Sequence, residues 1–166
     1  KYNVEATKRM IGLARQAGVK KAVILGSYFA YFNQVWPELR LADHHPYIRS
    51  RVEQEEAAMT AAGSEVEALI LQLPYIFGSM PGRTPLWKPL IGYIRSTPLL
   101  FYTHGGTNCI AVEHIAEAIA GAVEQGKGGS RYVIGDENLA WTELLQKFSR
   151  LTGKEKKVIS LPNWMA

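Results

Sequence analysis

The stretch Lys21–Gly26 reads KAVILG, a short and continuous apolar run. Such a run is typical of a strand that is buried on both faces of a parallel sheet. A second apolar run covers Val66–Leu73 and breaks at Pro74, and the segment Pro46–Ala62 between the two runs has a helical pattern closed by Gly63. This alternation of apolar strand and helix predicts right-handed crossovers, and therefore an α/β fold built on a parallel sheet.

Helical and strand patterns continue on both sides of this unit. A helical apolar face comes before the first strand and ends at Gly18, whereas the aromatic-rich stretch of residues 28–36 is predicted to be a loop. After residue 78 prolines interrupt the pattern. The later patterned segments are the short strands Leu99–Thr103, Cys109–Val112, Arg131–Ile134 and Val158–Leu161 and the helices Glu113–Gln125 and Trp141–Leu151.

The composition is that of an ordinary globular protein. The 166 residues make about one domain, 47% of them are hydrophobic, and the net charge of +4 comes from dispersed basic residues rather than from a basic stripe. The single Cys109 excludes an internal disulfide and fits a reducing compartment. No apolar stretch approaches the ~20 residues of a membrane span, and no signal peptide is visible. We therefore expect a soluble cytoplasmic protein that binds neither nucleic acid nor membrane.

Tyr47 and Arg51 lie four residues apart, directly after Pro46, and they follow Ser27 at the end of the first predicted strand. Pro46 suits the first turn of a helix, so Tyr47 should lie near a helix N-terminus, where backbone amides favour negative charge. Residues i and i+4 share a helix face, so Arg51 can lower the pKa of Tyr47 from its usual ~10. The arrangement predicts a proton-transfer centre that acts on an alcohol or carbonyl, with Ser27 bonded to the reacting oxygen.

A simpler interpretation of the same helix stays open. Arg51 could form an ion pair with Glu55 one turn further along, as Arg49 could with Glu53. A Tyr-x-x-x-Arg pair also occurs by chance in many helices. The catalytic interpretation therefore depends on the order of strand, serine, loop, tyrosine and cation.

Two further groups of side chains were candidates for a site. The pair His44–His45 has no accompanying cluster of Asp, Glu or Cys, so we predict no metal site. The aromatic residues Tyr28, Phe29, Tyr31 and Phe32 could cover a nicotinamide or an apolar substrate, and they could equally well pack in a core or a lid.

In this order the residues resemble the extended short-chain dehydrogenase/reductase family, and within it the NAD-dependent epimerase/dehydratase and dihydroflavonol-reductase-like group. Residues 27–31 (SYFAY) and 47–51 (YIRSR) are similar to the serine-bearing strand end and to the Tyr-x-x-x-Lys of that family. Residues 71–78 (LQLPYIFG) resemble the strand exit beside the nicotinamide. Residues 110–118 (IAVEHIAEA) and 129–135 (GSRYVIG) resemble its carboxy-terminal blocks. The resemblance covers essentially the whole chain.

The resemblance implies a role for each of several residues. Tyr47 would be the general acid–base and Ser27 would polarise the substrate oxygen. Arg51 would bind the nicotinamide ribose and tune Tyr47, and Asn3 would support a water network. The further residues that it implies are Gly26, Pro74, Tyr75 and Ile76 for the cofactor and Tyr28, Tyr75 and Phe77 for the substrate. It also implies NAD or NADP as the cofactor, a small-molecule substrate, and a homodimer formed by the helices that begin near Asn3 and Tyr47.

The chain departs from the family pattern in three ways. It contains no Gly-rich dinucleotide fingerprint and no acidic ribose-reading residue after one, so we expect that part of the Rossmann unit to lie upstream of residue 1. Arg51 replaces the family's lysine, which keeps the charge but excludes a neutral amine as a proton relay. His114 and Gln72 replace a usual aspartate and a common arginine, and we expect both changes to be structural.

The predicted fold is the carboxy-terminal part of a Rossmann-type parallel sheet with a small substrate-binding region. Residues 1–78 would form the second half of the sheet, and residues 79–166 most of the substrate-binding region, with strand 131–134 returning to the sheet. For residues 1–166 alone we expect negligible NAD(P) binding and poor solubility, because an apolar strand edge would be exposed.

The predicted function is an NAD(P)-dependent oxidoreductase or epimerase/dehydratase acting on a secondary alcohol or ketone, either a sugar nucleotide or a small hydroxy or keto compound. The alternative is a non-catalytic dinucleotide-binding sensor or scaffold of the same fold. Arg51 is the residue that favours the alternative, whereas the presence of Ser27 and Tyr47 favours the enzyme.

Overall fold

The computed structural model describes residues 2–162, which divide into two compact units. Unit 1 comprises the described residues up to Pro74 together with Glu113–Gly135, and unit 2 comprises Tyr75–Val112 together with the described residues from Asp136. The helices are α1 (Tyr2–Gln16), α2 (Tyr28–Val35), α3 (Leu41–His44), α4 (Pro46–Ala62), α5 (Lys88–Ser96), α6 (Val112–Gln125) and α7 (Trp141–Leu151). The strands are β1 (Lys21–Ser27), β2 (Glu67–Leu73), β3 (Tyr75–Phe77), β4 (Leu100–Thr103), β5 (Gly106–Ala111), β6 (Arg131–Val133), β7 (Glu137–Ala140) and β8 (Val158–Leu161).

The sheet of unit 1 is parallel throughout, with the strand order β1-β2-β6. Ile24 of β1 pairs with Ile70 of β2, and Leu25 pairs with Leu71. Side chains alternate along a strand, so the two isoleucines lie on one face of the sheet and the two leucines on the other. The α/β fold with a parallel sheet that the sequence predicted is confirmed.

Helices α1 and α4 cover the isoleucine face of this sheet. They run parallel to each other, because Asn3 contacts Ser50 near their starts and Arg15 contacts the carbonyl oxygen of Ala61 near their ends. The buried side chains beneath them form one apolar cluster, which consists of Ile11, Ile24, Ala58, Ala62, Val66, Ala68 and Ile70. This packing fixes α4, which carries the candidate site, against the strands β1 and β2.

The bounds of α4 follow from its terminal residues. Pro46 occupies its first turn, where the missing N–H group costs nothing. Gly63 ends the helix with a φ of 57°, a backbone conformation that favours glycine. Both ends lie where the sequence predicted them.

Within residues 2–162 one edge of β1 has no neighbouring strand, because β1 pairs there with β2 alone. Leu25, in the middle of this apolar strand, is 42% exposed, whereas its partner Leu71 is buried and lies beside Ala118 and Ala122 of α6. The leucine face of the sheet is therefore covered over β2 and uncovered over β1.

Helix α2 occupies the aromatic stretch that the sequence predicted to be a loop, so that prediction is wrong. Ser27 has an extended backbone (φ −143°, ψ 144°), and its Oγ accepts the N–H of Phe29 at 3.3 Å, which caps the helix. Ala30 is fully buried and holds the helix against the rest of unit 1. Aromatic side chains occupy four of the first five positions of α2, so its hydrophobic pattern shows no 3.6-residue period. Ser27, a typical N-cap residue, is the sequence feature that could have predicted the helix.

Unit 2 contains two small sheets. Strand β5 pairs with β3 in parallel and with β7 in antiparallel orientation, and β4 pairs with β8 in parallel. Two groups of buried residues hold these sheets against α5 and α7, namely Cys109, Leu139 and Leu144, and Ile94, Leu100 and Leu145. Strand β7 was not predicted from the sequence, and β5 begins at Gly106 rather than at the predicted Cys109. Among residues 2–162 no helix is both long enough and apolar enough to cross a membrane.

Candidate active site

Tyr47 and Arg51 are in direct contact on the surface of α4. The Nε of Arg51 donates to the Oη of Tyr47 at 3.3 Å, and the guanidinium carbon lies 5.4 Å from the centre of the Tyr47 ring. The Nη1 of Arg51 donates to the Oε1 of Gln54 at 2.7 Å. The alternative ion pair of Arg51 with Glu55 is not formed, because the Glu55 side chain is buried beneath the helix.

Ser27 joins this pair at the end of β1. It is 6% exposed, and its Oγ accepts the N–H of Phe29, whose ring packs edge-on against Tyr47 at a centroid distance of 5.8 Å. Three residues from one strand end and one helix therefore lie together: Ser27, Tyr47 and Arg51.

The surroundings of Tyr47 make its phenol easier to ionise than a free tyrosine. Burial by itself raises the pKa of Tyr47, but the hydrogen bond from Arg51, the nearby hydroxyl of Ser27 and the positive charge of Arg51 outweigh it and bring the pKa below 10.0. The ring is 44% exposed, so the phenol is accessible from solution. A tyrosine with a lowered pKa on an accessible surface can take and return a proton.

Aromatic rings of α2 and of the loop before α4 surround the phenol. Phe29 and His45 approach the Tyr47 ring edge-on, at centroid distances of 5.8 Å and 6.4 Å. Tyr28, which was predicted to contact substrate, packs 6.1 Å from Tyr31, and burial, followed by Tyr31, raises the pKa of its phenol. Of these two phenols, that of Tyr47 is therefore the more readily ionised.

Asn3 lies on α1, and its Nδ2 atom donates to the Oγ of Ser50 at 3.5 Å. Ser50 lies on α4 between Tyr47 and Arg51 in the sequence. Asn3 of α1 therefore contacts the helix that carries the site, and it does so through Ser50 rather than through Tyr47. Its role in a water network stays a prediction.

The remaining residues predicted for cofactor and substrate follow β2. Pro74 ends unit 1, and Tyr75, Ile76 and Phe77 form β3 of unit 2. Phe77 stacks on Trp87 at 4.5 Å with an interplanar angle of 15°, and Tyr75 lies 5.3 Å from the same ring. The indole N–H of Trp87 donates to the carbonyl oxygen of Ile76 at 3.0 Å. Trp87, which the sequence analysis did not select, therefore fixes the β3 segment.

Glu55 was considered from the sequence as an ion-pair partner of Arg51, but in the structure it is buried among other partners. It is 1% exposed, and the Nε2 of Gln72 donates to its two oxygens at 3.3 Å and 3.0 Å. The Nε of Arg131 donates to its Oε2 at 3.3 Å. Burial raises the pKa of Glu55, and Gln72, Arg131 and the nearby backbone of Ser27 offset part of that rise.

Gly26, which was predicted to contact the cofactor, is buried against this carboxylate. A Cβ atom at Gly26 would lie 2.5 Å from the Oε1 of Glu55 and 2.8 Å from the Cγ2 of Ile70. The glycine therefore leaves the space that the Glu55 carboxylate occupies. Within residues 2–162 no three side chains of His, Cys, Asp or Glu form a group that could hold a metal ion.

Known proteins resemble this chain in sequence and in structure. No family model matches the chain. A curated protein of Synechocystis sp., named "Putative dihydroflavonol 4-reductase", is 25% identical, and the alignment covers 98% of this chain and 51% of that protein. The crystal structure of gox2253 has a TM-score of 0.79 at 22% identity and covers 98% of this chain and 52% of that one. The dTDP-glucose 4,6-dehydratase of Bacillus anthracis, solved in complex with NAD, has a TM-score of 0.74 at 18% identity. That match covers 97% of this chain and 55% of the dehydratase chain.

The fold is therefore that of a Rossmann-type α/β protein, and it matches the carboxy-terminal portion of such structures. The resemblance to the dihydroflavonol-reductase-like and epimerase/dehydratase group of extended short-chain dehydrogenases/reductases, which the sequence predicted, is confirmed. The chain spans about half the length of the first curated relative and of these solved structures.

Proposed function

We propose that the protein containing this chain is an NAD(P)-dependent oxidoreductase or epimerase/dehydratase that acts on a secondary alcohol or ketone. The observation that carries the proposal is the phenol of Tyr47, which is hydrogen-bonded to Arg51 and whose pKa is lowered by Arg51 and Ser27. The similarity to a reductase by name and to a dehydratase solved with NAD supports a dinucleotide-dependent reaction. The substrate would be a sugar nucleotide or a small hydroxy or keto compound.

The side chains around Tyr47 fit the hydroxyl groups of a nicotinamide ribose. A guanidinium has five N–H donors, and within the described part of the chain Arg51 uses its Nε for Tyr47 and its Nη1 for Gln54. Arg51 and Tyr47 would hold the ribose, as the resemblance implies, with Gly26, Pro74, Tyr75 and Ile76 as the further cofactor residues. When bound, the nicotinamide would supply or accept the hydride.

The residues of this chain would carry the proton. In alcohol oxidation the ionised Oη of Tyr47 would take the hydroxyl proton of the substrate, and in ketone reduction the phenol would return it. The charge of Arg51 stabilises the ionised phenol in both directions. The hydroxyl of Ser27 would donate to the reacting oxygen and so hold it beside Tyr47.

The second candidate, a non-catalytic dinucleotide-binding sensor or scaffold, is favoured by one contact. The 2.7 Å bond of Arg51 to Gln54 holds the guanidinium along the helix, where the resemblance implies a lysine that contacts the ribose. In that case the full-length protein would bind NAD(P) without transferring hydride at a measurable rate.

The experiment is a hydride-transfer assay of the full-length protein with NADH and NADPH against a panel of ketones, before and after Tyr47→Phe. We expect the substitution to lower turnover at least ~100-fold while cofactor binding stays largely intact, because Arg51 and the other cofactor residues are unchanged. Tyr2→Phe removes a phenol oxygen from a side chain that is 94% exposed and serves as the matched control. Near-normal turnover of Tyr47→Phe would contradict the assignment, and cofactor binding without turnover in the unmodified protein would support the sensor.

We further propose that the protein is a cytoplasmic homodimer that associates through α1 and α4. Met10, one of the residues suited to such a face, is 67% exposed on α1. Met59, another of them, packs instead against the apolar cluster between α4 and the sheet. The support for the dimer is therefore stronger on α1 than on α4.

A further inference from the structure

The buried carboxylate of Glu55 is connected to Tyr47 by a short path through Ser27. Glu55 lies one helical turn beyond Arg51 and two turns beyond Tyr47 on α4, so the three side chains leave the same side of the helix. Its carboxylate packs against Gly26, the residue directly before Ser27. Ser27 in turn accepts the N–H of Phe29, whose ring packs edge-on against Tyr47. Glu55 itself does not contact the phenol.

The contacts of Glu55 are those of an ionised carboxylate. An ionised carboxylate accepts hydrogen bonds and donates none, and the side-chain amide of Gln72 and the guanidinium of Arg131 both act as donors toward it. Burying an unpaired charge costs several kcal/mol, so a carboxylate that is 1% exposed persists because these donors surround it.

The sheet register explains why these donors converge. Arg131 pairs with Ile70, and Gln72 lies two residues beyond Ile70 on the same strand. Paired residues and residues two apart point to the same face of a sheet, so Arg131 and Gln72 both reach the face that α4 covers. Gly26, on the neighbouring strand β1, lacks the Cβ atom that would displace the carboxylate.

We propose that Glu55 is a positioning residue of the active site, whose carboxylate fixes the Ser27 main chain and thereby the hydroxyl beside Tyr47. Arg131 holds the carboxylate from the far side, in the part of the sheet where the resemblance had implied an arginine at position 72. This inference rests on the proposed role of Tyr47, since without that role there is no catalytic geometry to maintain.

The first test is amide hydrogen exchange of the full-length protein, which needs no enzymatic activity. In Glu55→Gln we expect the Ser27 amide to exchange at least ~10-fold faster while amides in the middle of β2 keep their protection. Glu56→Gln changes an exposed neighbour on the same helix in the same way and is the matched control. An unchanged Ser27 exchange rate in Glu55→Gln would overturn the proposal.

The second test separates positioning from folding by steady-state kinetics. Loss of positioning lowers kcat and kcat/KM together, so we expect Glu55→Gln to reduce kcat ~10- to 100-fold per folded molecule, with cofactor affinity within ~3-fold of the parent. If Glu55→Gln does not fold, Arg131→Met removes the counter-ion from a side chain that is 34% exposed, and Arg131→Lys should restore part of kcat. A kcat that follows only the folded fraction in all three variants would overturn the proposal.

The result for Tyr47→Phe distinguishes this inference from the proposed function. If Tyr47→Phe loses turnover and Glu55→Gln keeps it, the positioning role fails and the catalytic role of Tyr47 stands. If Tyr47→Phe keeps turnover, the proposed function itself fails.

Discussion

Arg51 is the residue at which charge and hydrogen bonding act on the same phenol. Its Nε–H donates to the Tyr47 oxygen at 3.3 Å, and its charge favours the ionised ring. Removing the guanidinium leaves burial, which raises the pKa of Tyr47, opposed by Ser27 alone. The pKa of Tyr47 must therefore rise when Arg51 is lost.

The pH dependence of alcohol oxidation should report this change. The reaction needs the ionised phenol, so kcat/KM rises with pH up to the pKa of Tyr47, and in Arg51→Ala this rise should move to higher pH. Activity at pH 7 should then fall roughly tenfold for each unit of displacement. Arg51→Lys keeps a cation and should retain or improve activity, since it restores the residue that the resemblance implies.

Arg49→Ala is the control for this prediction. Arg49 lies on the same helix, but its guanidinium donates to the backbone carbonyl oxygens of Ala42 and Asp43 and not to the phenol. Its pH profile should match that of the parent. A profile in Arg51→Ala that also matches the parent would favour the interpretation of Arg51 as a surface residue.

For individual residues, the sequence predicted contacts between side chains on one helix and missed contacts between residues that are far apart in the sequence. The contact of Tyr47 with Arg51 follows from a spacing of four residues. The same rule allowed a pair of Arg51 and Glu55. That pair does not form, because Glu55 bonds to Gln72 of β2 and to Arg131 of β6. Which of several donors a buried carboxylate selects depends on strand register, and a single sequence does not display register.

At the level of the elements, the C-terminal end of α5 is capped by the side chain of a lysine from another segment. The ammonium of Lys156 donates to the carbonyl oxygens of Ile94 and Thr97, the latter at 2.6 Å, and lies 3.4 Å from that of Arg95. The last carbonyl groups of a helix have no partner within the helix and carry partial negative charge. The lysine supplies the missing donors.

We expect Lys156→Met to lower the free energy of unfolding by about 1–2 kcal/mol, because the substitution keeps the aliphatic stem and removes the charged donor. Urea denaturation followed by the fluorescence of unit 2 tryptophans would measure the loss. Lys154→Met removes an exposed charge from the same loop and should change stability by less than about 0.5 kcal/mol. Equal effects of the two substitutions would rule out the capping role.

The elements that the sequence predicted well are those with clear chemical boundaries. β1 and β2 each contain a run of four apolar residues, at positions 22–25 and 68–71, and α4 begins with a proline and is followed by a glycine. β7 was missed because Glu137–Ala140 is polar and gains strand geometry by pairing with β5. In such a segment tertiary pairing overrides local preference.

For the whole molecule, the proposed dimer makes Met10 a sensitive position. A charge placed on a side chain that is 67% exposed should do little to the fold of a monomer. In a dimer that buries this face, Met10→Lys should raise the dissociation constant at least ~10-fold, which light scattering of the full-length protein at micromolar concentrations would detect. Leu151→Lys changes an apolar side chain that is 82% exposed in unit 2 and should leave the association unchanged. A full-length protein that is monomeric before any substitution would contradict the dimer.

The interleaving of the two units along the chain has a consequence for how the protein is made. Unit 1 is begun before residue 75 and completed only with Glu113–Gly135, so the ribosome synthesises a large part of unit 2 in between. Glu55 and Arg131 are 76 positions apart, which at 5–20 residues per second is a delay of roughly 4–15 s. During that interval the nascent chain holds a carboxylate destined for burial whose cationic partner has not yet been translated. Chaperone engagement and premature termination should therefore affect this protein most strongly in the window that closes when Arg131 emerges.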